Sequence, residues 1–165
     1  MLSRLSESRR SITDVMLDDT VTKPSDLTLL LKDNEWDLLN SLLPCLHPLE
    51  VATTALSGEK YVSVSMLYPI VMGLVNVHLR ASTSDSSIVK KTKDVIRNQL
   101  VTRFKTESDR ICNSVPILAS ALDPRFKSLE FLPTKQRELA MEELEDRMPF
   151  TNNNNNIDPP AAKKT

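Results

Sequence analysis

Apolar residues recur along most of this chain at steps of three and four, the period of a helix face rather than a strand. Leu2, Leu5, Ile12, Val15 and Met16 predict a short helix over residues 1–18, and Lys23-Pro24-Ser25-Asp26 marks a loop from Thr20 to Asp26. Asp33 or Asn34 is then placed to cap a helix whose stripe runs Trp36, Leu39, Leu43, Leu46, Leu49, Thr53 and Leu56. Pro44 and Pro48 fall inside that stripe. An interior proline removes a hydrogen bond and costs ~3 kcal/mol, so a kink or a junction of two helices is expected here. Leu43 and His47, each preceding a proline, are expected to be pushed toward extended backbone. Gly58 is the expected C-terminal cap.

Val62 to Ser65 reads as extended, followed by a strongly apolar helix from Met66 to Leu79 that Ser63 or Ser65 would cap. Pro69 falls near its first turn, where a missing N–H is best tolerated. Ser82 to Ser87 is a polar linker. The next helix spans Ile88 to Lys105, with Val89, Ile96, Leu100 and Phe104 on one face. A shorter helix from Asp109 to Leu122 is expected to break at Pro116. Thr134 is placed to cap a last helix with the stripe Ala140, Leu144 and Met148. The Asn- and Pro-rich stretch 151–165 has little to bury and is expected to be disordered. Residues 1–150 are thus read as one all-α region, an irregular array of about six helices.

Composition sharpens that picture. Of 165 residues only two are glycine, Gly58 and Gly73, too few for a hairpin-rich sheet and incompatible with a phosphate-binding glycine loop. With 21 basic and 22 acidic residues the net charge of −1 supplies no global field for a polyanion. No apolar run is long enough to span a membrane. The first residues lack the apolar core of a signal peptide, and Cys45 and Cys112 allow at most one disulfide, so a reducing compartment is expected.

Candidate chemistry is sparse. Cys45 and His47 lie about 200° apart on a helix and cannot share a metal ion, while His78 and Cys112 belong to other elements. No local signature supports a cysteine or serine nucleophile. Asp14 and Asp18 would share a helix face, with Asp19 beside them, but a solvated helix end accounts for them better than a divalent cation. No catalytic, metal or cofactor residue is assigned. The best candidate for contact with a nucleic-acid backbone is the basic set Lys90, Lys91, Lys93, Arg97, Arg103 and Lys105, opposed only by Asp94. Trp36 could stack on a base, though its place in a leucine-rich stripe favours packing. In Leu122-Asp123-Pro124-Arg125-Phe126-Lys127, Asp123 is suited to accept from the N–H groups that follow. Pro124 presets a helical φ, and Phe126 is expected to anchor the corner on the core.

The ordered set Trp36-Asp37-Leu38-Leu39, Leu46-x-Pro48, Ala52-Thr53, Leu56-Ser57-Gly58-Glu59-Lys60-Tyr61, Val64-Ser65-Met66, Pro69, Ile96-Arg97-Asn98 and Leu122 to Lys127 resembles the zinc finger BED domain-containing proteins. That family derives from hAT-superfamily transposases. The resemblance covers roughly residues 1–150 and implies the all-helical insertion of a ribonuclease H-like fold. The family's zinc ligands, catalytic acids and dimerisation segment have no matching positions here. Pro44 and the Asn-rich tail depart from the pattern, and the tail suggests a truncated or rearranged product. What the resemblance implies is a non-catalytic piece of a nuclear protein concerned with DNA binding and transcriptional regulation, with DNA or protein partners. The alternative is a remnant of an active transposase whose catalytic residues lie elsewhere.

Overall fold

The computed structural model describes residues 2–58 and 64–148, and every regular element among them is helical. Glu59 and Tyr61 of the motif set, and the tail from residue 151, lie outside the described residues. The first predicted helix is divided at Ser8 into α1 (Leu2–Glu7) and α2 (Arg9–Met16). The loop that follows tightens into a 3-10 turn over Pro24–Leu29.

The long leucine-rich stripe forms a single helix, α3 (Asp33–Leu56), with Pro44 and Pro48 both inside it. Two helices meeting at a junction are therefore not present, and Leu43 and His47 are helical rather than extended. The two prolines stand one turn apart, so the lost bonds fall together on the Asn40 and Pro44 carbonyls. Burial of Trp36, Cys45 and Ala52 sets tertiary packing against that local cost. Arg9 of α2 clamps the start of α3: its guanidinium lies 5.4 Å over the Trp36 ring and 2.6 Å from Asp33. Asp33 is the first helical residue rather than the cap. Lys32 holds the cap position, and its N–H donates to the Glu35 carboxylate at 2.8 Å. At the other end Ser57 is right-handed, and no described glycine has positive φ, so Gly58 does not supply a left-handed cap.

Val64 and Ser65, expected to be extended, form a 3-10 turn with Met66; Val62 and Ser63 lie outside the described residues. It leads into α4 (Leu67–Gly73), with Met66 rather than a serine at the cap and Pro69 in the first turn as predicted. The helix then widens into a π turn over Leu74–His78. Ser86 accepts from the Val89 N–H at 3.3 Å and starts α5 (Ser87–Phe104), which ends where Lys105 turns left-handed at φ 52°.

The predicted helix from Asp109 divides at Ser114 into a 3-10 turn (Asp109–Asn113) and α6 (Val115–Leu122). Pro116 is not the break: it occupies the second helical position, where its missing N–H would have had no partner. The last helix, α7 (Thr134–Arg147), has Pro133 at the cap and Thr134 as its first residue. Ala140 and Leu144 are buried, but Met148 is exposed and Gln136 takes the inner position one turn earlier.

The principal core gathers Tyr68 and Met72 of α4, Ile111 and Cys112, Ile117 of α6, and Leu129, Leu132 and Ala140 around α7. Tyr68 and Phe104 meet edge to face at 6.5 Å, and the Tyr68 hydroxyl donates to the Phe104 carbonyl. A smaller core joins Ala52 of α3 with Leu74 and Leu79, and Ile96 and Leu100 of α5 pack against it.

Candidate nucleic-acid interface

The six cations of the α5 region do not form one surface. Val89, Lys93, Ile96, Leu100 and Phe104 follow one another at steps of four, three, four and four, so Lys93 stands inside the apolar stripe. Its ammonium is nearly buried and lies 2.7 Å from Asp85 Oδ2, with a longer contact of 3.4 Å to the Arg80 carbonyl. Arg97, one turn further on, donates through Nε to the Val75 carbonyl at 3.3 Å. The π turn and the residues after it expose carbonyls that a helix end leaves without amide partners, and cations there also meet the negative end of the dipole. Lys93 and Arg97 thus close the end of the α4 segment.

Asp85 accepts from the Ser82 N–H as well, and the Lys93 ammonium holds its carboxyl below the ordinary aspartate range. Lys91, Arg103 and Lys105 are exposed and Lys90 is half-exposed. Lys105 has left the helix, so it does not continue the α5 face. The surface available to a phosphate backbone is therefore the outer set Lys90, Lys91, Arg103 and Lys105, not the stripe containing Lys93 and Arg97.

The Asp123 corner is an interlocked hydrogen-bond system. Asp123 Oδ1 accepts from the Arg125 N–H and Nε at 3.0 Å each, as expected for its place before Pro124. Asp123 Oδ2 accepts from Arg125 at 2.7 Å and from the Ser65 hydroxyl at 2.6 Å. Arg125 first, then Ser65, hold this carboxyl well below the usual range. Ser120, fully buried, donates to the Ser65 carbonyl at 2.7 Å, so α6 is pinned to the 64–66 turn from two sides. Arg125 also lies 5.2 Å over the Phe126 ring. A turn rather than a helix follows Pro124. Phe126 is half-buried; Leu129, fully buried at φ 49°, anchors this segment in the core, and Lys127 is exposed. Neither Ser65 nor Leu129 was singled out from the sequence as an anchor.

Trp36 is 2% exposed and is packed under Arg9, leaving no face for a base. Asp18 lies beyond the end of α2, and its carboxylate takes the Thr20 N–H and hydroxyl, so it does not act with Asp14. Among the described residues no three His, Cys, Asp or Glu side chains cluster as a metal site. Cys45 and Cys112 are both buried and unbonded to each other, and burial pushes both thiols up. No described helix is long and apolar enough to cross a membrane. No family model, curated protein or solved structure matches the chain.

Proposed function

We propose that this chain is a non-catalytic helical part of a transposase-derived, BED zinc finger-like nuclear protein, serving DNA binding and transcriptional regulation through its surface. No cofactor is assigned to it. One observation carries the reading: two separate pieces of the ordered motif set meet. Ser65, from Val64-Ser65-Met66, bonds Asp123, from Leu122 to Lys127, at 2.6 Å. Residues of both motifs thus hold helices together, and the side chains left for a partner are the exposed cations around α5.

The test is a nuclease and strand-transfer assay of the purified chain with Mg²⁺ or Mn²⁺, alongside a DNA-binding titration. Binding with the strands intact is expected. Metal-dependent cleavage or joining would overturn the non-catalytic reading and favour a transposase remnant.

A further inference from the structure

The outer faces of α5 and α7 carry matching patterns of opposite character. On α5, Ile88, Lys91, Val95, Asn98 and Thr102 are all exposed and follow steps of three, four, three and four. On α7 and its C-terminal cap residue, read backward, Met148, Glu145, Met141, Glu138 and Thr134 are all exposed and follow the same steps. Such steps place five side chains along one seam of a helix, the arrangement that packs knobs into holes against a second helix. Reversing one helix is what sets the apolar positions of the two seams opposite one another and Lys91 opposite Glu145.

In that antiparallel register Ile88 faces Met148, Lys91 faces Glu145, and Val95 faces Met141. Asn98 then meets Glu138, and Thr102 meets Thr134. The apolar pairs are large side chains open to solvent, Ile88 at 53%, Val95 at 55%, Met141 at 38% and Met148 at 44%. On each helix the two apolar residues are seven apart, roughly 10.5 Å along the axis. Among the described residues Lys91, Glu138 and Glu145 form no ion pair. Both seams are exposed on the same chain, so they do not cover each other within it.

The geometry points to a second copy of this chain as the occupant, with α5 of one copy laid antiparallel on α7 of the other through the Lys91–Glu145 layer and its flanking apolar layers. With the reciprocal α7–α5 contact in the same pair the assembly is a two-fold dimer; without it the contact is heterologous and closes a ring or extends a chain. The seam shares Lys91 with the outer cations, whereas Lys90, Arg103 and Lys105 lie off it and are the residues that separate this inference from the DNA reading.

Sedimentation velocity over a dilution series tests it. The unaltered chain should show a species heavier than the monomer that dissociates on dilution. Lys91→Glu and Glu145→Lys should each run as monomers, with far-UV circular dichroism unchanged. Mixing the two variants should restore the heavier species, because each α5–α7 contact then again joins opposite charges. A chain monomeric at every concentration, single variants that associate like the original, or a mixture that stays monomeric would each overturn the proposal.

Discussion

The Ser65 hydroxyl donates a 2.6 Å hydrogen bond to Asp123 Oδ2, joining positions 58 residues apart and fixing the start of the α4 segment to the end of α6. Arg125 completes the clamp from within the same turn, so one carboxylate serves local and long-range structure together.

The charge on Asp123 makes that clamp sensitive to acid. Its carboxyl sits well below the ordinary value of 3.8 in the folded chain, held there by Arg125 and then Ser65. Between the unfolded and folded values the unfolded chain binds more protons, so stability rises with pH in that window. The contribution is complete above pH 3.8 and is lost as pH falls from there toward the folded value. Urea midpoints at pH 7, 4 and 3 should therefore fall more steeply for the original chain than for Asp123→Asn. Parallel pH profiles would show that the carboxylate charge does not contribute.

Cations of the α5 region divide by role. Removing Lys93 takes the ammonium from the Arg80 carbonyl and from Asp85, which keeps only the Ser82 N–H. Lys93→Ala should lower the thermal midpoint clearly, whereas Lys91→Ala and Lys105→Ala should change stability by no more than about 0.5 kcal/mol. Equal effects at all three positions would remove the division between inner and outer cations.

Pro44 is an exposed residue in the middle of α3 with no N–H to give the Asn40 carbonyl. Pro44→Ala restores that bond while loosening the unfolded chain, and the helix-interior penalty of ~3 kcal/mol sets the upper bound of the gain. Chemical denaturation should show stabilisation of about 1–2 kcal/mol. Destabilisation would mean that the proline ring itself is needed in the α3 packing.

Leu129 reaches the principal core from a left-handed backbone, a conformation uncommon outside glycine and asparagine. Leu129→Ala leaves the φ as it is and empties a fully buried site, so a loss of about 2–5 kcal/mol is expected. A loss under ~1 kcal/mol would place this segment outside the cooperative core.

The helical class was legible because two glycines and three- and four-residue spacing leave few alternatives. The place of Lys93 was legible too, since it stands four residues after Val89 and three before Ile96. The basic residues were read together as one set, and that merged capping cations with free ones. The junction and extended backbone expected at prolines 44 and 48 did not form, because their cost is local while the burial of Trp36, Cys45 and Ala52 that opposes it is tertiary. Ser65 carries no local sign of its partner 58 residues on, and nothing near Leu129 in the sequence announces a left-handed leucine.

The most direct test of the central claim is a salt titration of binding to a labelled DNA duplex, comparing the original chain with the variant carrying Lys90→Glu and Lys105→Glu. Binding that weakens linearly in log K against log salt is expected, with the slope reduced by about one for each reversed lysine and the labelled strands intact. Identical affinity and slope for both proteins would contradict the account.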